Sequence, residues 1–259
     1  MKKMIRTAAV ILSAMMVFSM TACAKKADPK EVFDTAVKKN SELTSMDMDT
    51  TMKMTMTQGE ENIDVTVDMN MKMSDISKDT MQYLAETKTS LMGQTLDATI
   101  FYKDGYYYMD SMGQKIKYPM DLTALMESVK QSTESTNLQS DQLKDLTMAK
   151  EGDNTILTFT ADPEKMNEYL TDVMGSMSGM GAMGDTQMSF KEASGTYTVN
   201  KDGYYTDMTM KMTVDMDLQG EAVTMVMDLT GKVNNPGQEV TVELPDTEGY
   251  TEVEMPAAQ

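Results

Sequence analysis

The sequence predicts an α+β domain built on an antiparallel sheet, and three observations predict it. Methionine alternates with polar residues in separate stretches: "TMKMT" occurs at 51–55 and again at 209–213, and "NMKMS" at 70–74. Turn sequences such as "QGEEN" (58–62) and "KDG" (103–105 and 201–203) follow or precede these stretches, as hairpins require. Two segments, 28–46 and 162–177, open on Asp-Pro with an acid close behind and continue as apolar stripes, the way helices begin. Successive side chains of a strand point to opposite faces. Each Met-rich strand therefore carries one apolar and one charged face, the pattern of a sheet buried on one side and wet on the other.

The elements follow in order. "MKKMIRTAAVILSAMMVFSMTAC" has a basic start at Lys2, Lys3 and Arg6 and an apolar run, Ala8–Met20, of 13 residues. That run is short for a bilayer span and right for a signal-peptide core. Its end, "MTAC" (20–23), resembles the lipobox of bacterial lipoproteins, with Met20 where Leu is commoner. The resemblance implies cleavage before Cys23, diacylglycerol on its thiol, and fatty acyl chains such as palmitate as the membrane anchor. The plainer alternative is a secretory signal with a chance cysteine, but Cys23 is the one cysteine of the chain, and lipidation accounts for it. The expected organisation is a signal peptide at 1–22, a lipidated tether at 23–29, a single domain at 30–245 and an acidic tail at 246–259.

Within the domain, a helix over 28–46 turns Val32, Phe33, Ala36, Val37 and Leu43 to one side. Strands are expected at 46–57, 63–75, 80–91, 95–105 and 106–119. Helices follow at 120–132 and 140–150, a strand at 154–162 and a helix at 162–177. A Gly/Met loop at 178–186 leads into strands at 187–200, 203–218, 221–233 and 238–245. The repeats "TMKMT" and "KDGYY" (103–107, 201–205) admit either internal duplication or the reuse of similar residues in similar strands.

Charge narrows the partners. The chain carries −18, and loss of the three signal-peptide cations deepens this to −21. Such a surface disfavours nucleic acid and anionic headgroups, so the protein is expected to sit at the membrane by its lipid alone, on the outer side to which the signal peptide and lipobox would send it. With no histidine, the Ser/His and Cys/His catalytic arrangements are excluded, and no P-loop, G-x-S-x-G or H-E-x-x-H motif is present. "GMGAMG" (179–184) formally fits a dinucleotide fingerprint, but a helix precedes it and a strand follows, the reverse of what that site needs. Asp47 and Asp49 are paired carboxylates on an outward strand face, where solvation explains them. The acidic surface lacks an EF-hand loop. No enzyme activity, cofactor or metal is expected.

What the methionine face meets stays open among three readings. Helices fill it and the methionines are core; or the sheet leaves room for an apolar ligand; or the thioethers bind a soft metal such as Cu(I). Met has three rotatable bonds and a polarizable sulfur, which suits irregular gaps and adaptable apolar surfaces. The metal reading lacks histidine or thiol support, and its one candidate loop is 175–188, with four methionines. The tyrosines of "FYKDGYYYM" (101–109) and "DGYY" (202–205) either staple hairpin ends or rim a cavity mouth.

Taken together, the lipobox, first helix, long alternating strands, tyrosine-bearing "KDG" turns and a later helix before the last strands resemble the LolA/LppX-like bacterial lipoproteins, in particular Gram-positive members of that superfamily. The resemblance implies a strongly curved antiparallel β-sheet, a half-open barrel, with a few helices packed against its concave face and a hollow that can hold acyl chains. Met-rich strands depart from the usual Leu/Val/Ile face. The expected function is therefore non-catalytic binding of lipid or acyl chains by a membrane-anchored lipoprotein. Met52, Met54, Met56, Met69, Met71, Met73, Met210 and Met212 are expected to line the ligand, with Tyr102, Tyr106 and Tyr204 at the rim. The alternative is a structural lipoprotein with a filled core that offers its acidic face to an envelope partner.

Overall fold

The computed structural model describes residues 27–76, 78–127, 138–169, 187–218 and 220–254. Helix α1 spans Pro29–Ser41 and leads into a continuous meander: β1 (Met46–Gln58), β2 (Glu61–Ser74), β3 (Gln82–Leu91), β4 (Gln94–Lys103), β5 (Tyr106–Ser111) and β6 (Gln114–Pro119). A helix α2 at 122–127 follows. The second meander is β7 (Leu143–Glu151), β8 (Asn154–Ala161), helix α3 at 163–169, β9 (Gln187–Val199), β10 (Tyr205–Leu218) and β11 (Glu221–Val233), with a two-residue β12 (Thr251–Glu252) last.

All twelve strands form one sheet in the order β12-β6-β5-β4-β3-β2-β1-β11-β10-β9-β8-β7. Every neighbour pair is antiparallel except β12 with β6. The curved sheet does not close, because its end strands β12 and β7 do not pair. This is the half-open barrel of an α+β domain.

The opening helix begins where Asp28 accepts a hydrogen bond from Lys30 N at 3.0 Å with Pro29 in the first turn, a cap worth about 1 kcal/mol. Lys38 and Lys39 end it, favourably placed at the negative end of the helix dipole. It stops short of the expected residue 46 because the chain must enter β1 at Met46; Leu43 is nevertheless buried, outside the helix. Its apolar side, Phe33 and Ala36, lies on the sheet, with the Phe33 ring edge-on to Tyr197 at 5.2 Å.

Three expectations are corrected. Residues 140–150 form a 3-10 turn and strand β7 instead of a helix. A bulge between Leu143 and Asp145 puts Leu143, Leu146 and Met148 on one face, and that irregular spacing imitates a helical period. Residues 106–119 are two strands, split by a turn at Met112-Gly113. Finally, 238–245 belongs to no strand. It alternates because Val240, Val242 and Leu244 press onto Leu84, Phe101 and Tyr108, so the segment is an extended strap crossing the sheet on its outer side. Residues 246–254, read from the sequence as tail, continue it: Tyr250 stands edge-on to Phe101 and Tyr108, and Val253 N bonds Lys117 O at 2.9 Å.

The two apolar clusters on the inner side sit towards opposite wings. One joins α1 and α3 to β8–β10 through Phe33, Leu157, Phe159, Met166, Phe190 and Tyr197. The other joins α2 to β2–β5 through Met73, Met81, Tyr102 and Leu125. Helices thus lie on the concave face, as expected. Among the described residues no helix is long and apolar enough to cross a membrane.

Candidate functional site

The register explains the repeated pentapeptide. Both "TMKMT" copies flank β11, one on β1 and one on β10, aligned residue by residue. Met52, Leu229 and Met210 form one lateral row, Lys53, Asp228 and Lys211 the next, and Met54, Met227 and Met212 the third. Directly opposed side chains share a face. The methionine rows therefore face inward, while a Lys–Asp–Lys row faces out.

Carried across the sheet, this parity sorts all the charge. Inward go the even residues of β1, the odd of β2, β3, β5 and β11, and the even of β4, β6 and β10. Between the hairpin tips, β1–β6 and β8–β11 place no Asp, Glu, Lys or Arg on the concave face. Glu61 and Glu221 stand at the tips, and Lys150 on edge strand β7 donates to Thr155 Oγ1 at 2.7 Å. The outer face carries the charges, with opposite signs facing each other in register at Asp47 and Lys72 and at Asp68 and Lys88.

The eight methionines expected as lining all share the concave face, and packing divides them. Met73 is sealed within the α2 cluster at 2 % exposure, and Met71 borders it. Met210 and Met212 border the α1 cluster. Met52, Met54, Met56 and Met69 belong to neither and remain half-buried. With them lie Val65, Val67, Met225, Met227 and Leu229, also half-buried. This strip, on β1, β2 and β11, is the candidate site. Sequence reasoning missed the β11 residues because Val226 interrupts the alternation in "AVTMVMDL"; the polar series Asp228, Thr230, Lys232 was the signal that could have found them.

The tyrosines separate. Tyr102 is buried beneath α2 with its hydroxyl donating to Met120 O at 3.4 Å, in a concave-face row with Tyr83, Tyr107 and Tyr118. Burial raises the Tyr107 pKa well above the usual phenol value, so this row is neutral hydrogen-bonding surface. Tyr106 has the opposite parity and lies on the outer face with Lys117 Nζ 4.4 Å from its ring centre. Tyr204 sits in the β9–β10 loop between Lys39 and Gly237. Tyr102 thus stands on the methionine side and Tyr106 on the other.

The outer face has its own concavity, a groove of about 410 Å³ whose outward side chains include Asp49, Thr51, Asp68, Asn70, Glu86 and Lys88. Asn234 and Asn70 each donate to Asp49 at 2.8 Å and hold its carboxyl below the usual range. Thr51 likewise donates to Asp68 at 2.6 Å. Among the described residues, no three acidic, cysteine or histidine side chains converge as a metal site would require. Cys23 and the methionines at 177, 180 and 183 lie outside the described residues.

Solved structures with a similar arrangement include LprF from Mycobacterium bovis (11% identity, 85% of this chain and 97% of that one, TM-score 0.40). Lipoprotein LppX from Mycobacterium tuberculosis is similar at 11% identity, covering 83% and 98%, with a TM-score of 0.42. A LolA superfamily protein from Nitrosomonas europaea follows at 9% identity, covering 81% and 94%, with a TM-score of 0.23. No curated protein matches the sequence. The model of one family, described as a family of unknown function (DUF6612), matches residues 28–247, and the chain belongs to that family.

Proposed function

We propose that this protein is a membrane-anchored extracytoplasmic lipoprotein that binds lipid or acyl chains, without catalysis, against the half-buried methionine strip. The observation that carries the reading is the charge-free concave face whose centre is left between two packed clusters. A filled interior would bury the strip as it buries Met73; a water-facing strip would carry polar residues. An acyl chain gains about 0.8 kcal/mol for each methylene it buries there. Flexible thioether side chains repack around chains of differing shape. Cys23 supplies the lipid anchor, which keeps the strip near its ligand source.

The test is native mass spectrometry with lipid extraction on residues 24–259 expressed in bacteria. A stoichiometric co-purifying lipid or fatty acid is the expected result. A bare protein mass, unchanged after incubation with vesicles, would return the methionines to the core. A second reading has its own observation, the acidic outer groove: a structural lipoprotein would offer it to a cationic segment of an envelope partner.

A further inference from the structure

We infer that the rim formed by the β3–β4 and β5–β6 turns docks on the surface of a lipid bilayer. Four large hydrophobic side chains are exposed among the described residues, and all four stand at these two tips: Leu91 at 36%, Met92 at 77%, Leu96 at 37% and Met112 at 68%. The tips lie side by side, since Met112 N donates to Asp97 O at 3.4 Å.

Local chemistry argues against accident. Both turns read Met-Gly-Gln, at 92–94 and 112–114, and both place Met in the left-handed region, at φ 50° and 52°. Side chains other than Asn and Asp rarely adopt that conformation. Among the described residues the other non-glycine positions with positive φ are Asp75, Asp104 and Asn235, the types that tolerate it. Asp104-Gly105, in the β4–β5 turn at the opposite rim, uses the ordinary residue for the same conformation. Methionine is therefore disfavoured by the turn and by water alike, and a surface that takes apolar tips removes the second objection.

Charge selects the bilayer as occupant. Residues 90–96 and 111–114 contain no ionisable side chain, whereas the other hairpin tips do, as in "QGEEN", "EGDN" and "NKDG". In a chain of net charge −18 these two tips carry no charge to repel an anionic membrane, whereas the β1–β2 and β10–β11 tips at the same end of the sheet carry Glu60, Glu61 and Glu221. The tips also continue the concave face, because Leu91 opposes Val65 and Leu96 opposes Thr89 beside Val67. The inference uses the proposed Cys23 anchor for proximity and is independent of the ligand.

The experiment uses the full lipidated protein in vesicles of phosphatidylcholine and phosphatidylglycerol. An environment-sensitive dye is attached at Met92→Cys, Met112→Cys or, at the opposite rim, Lys201→Cys. Blue-shifted emission and quenching by nitroxide-labelled lipid at 92 and 112, but not at 201, is expected. Replacing Met92→Asn with Met112→Asn suits the turns, so thermal stability should hold or rise while a dye at Gln94→Cys loses its quenching. Equal quenching at all three sites would overturn the inference. So would quenching that survives the Asn pair, or a blue shift that grows with protein concentration without lipid quenching, which marks a second copy. Lipid loading in the mass spectrometer should not change with the Asn pair, so failure here and failure of the ligand reading are separable.

Discussion

The β8–β10 wing and the β1/β2/β11 strip present the same concave face but solve it differently. The wing carries Phe159 and Leu157 at 1% and 0% exposure, closed by Phe33 and Met166 from helices. The strip carries Met52, Met54, Met56 and Met227, half-buried and outside the three clusters formed among the described residues. The wing is built around aromatic rings of fixed shape, with Met166 among them, whereas the half-buried strip is mostly methionine and valine. The difference leads us to expect stability from the wing and, under the proposed function, adaptability from the strip.

The largest effect should come from breaking the wing. Phe159→Ala removes a fully buried ring and should cost about 3–5 kcal/mol in denaturant unfolding, whereas Met54→Ala should cost under about 1 kcal/mol. Gly195→Val should rival Phe159→Ala, because any Cβ there collides with the Thr209 carbonyl oxygen and the Phe159 ring. Equal costs at Phe159 and Met54 would erase the comparison.

The outer strap comes next. Val242→Asp would bury a charge against Phe101 and Tyr108 and should cost about 2–3 kcal/mol, read from the urea midpoint. Ligand loading of the folded fraction should be unchanged, since the strap lies on the other face.

That strap also marks the limit of what was legible. Strand alternation revealed β1, β2 and β10, because a period of two is visible wherever Met faces Asp, Lys or Thr. The same alternation misled at 238–245, where the apolar side meets the outer face and forms no ladder. The bulge in β7 hid a strand, and Met112-Gly113 hid a hairpin, since methionine is not a turn residue. Of the site, the inward parity of all eight methionines was readable. Which of them helices cover depends on contacts distant in sequence: Met73 meets Leu125, and no local pattern at either announces it.

Titrations sharpen the comparison further. Burial, with Tyr205 close by, raises the Tyr197 hydroxyl above its unfolded value near 10. Its contribution is complete below that value and is lost as pH rises from it through the higher folded one, so alkaline unfolding should begin in the wing and coincide with phenolate absorbance. Asp49 behaves oppositely: Asn234 and Asn70 lower its pKa, so its contribution exists above the unfolded value near 4 and fades as pH falls through the folded one. Being near the surface, it should give the smallest effect, a slight loss in the acid limb removed by Asp49→Ala.

The most direct measurement is methyl NMR of the methionine Cε groups during titration with a fatty acid. Shifts concentrated at Met52, Met54, Met56, Met225 and Met227, with Met73 and Met166 still, are predicted. No shifts at the strip, or shifts confined to the exposed Met92 and Met112, would contradict a ligand surface on the concave face.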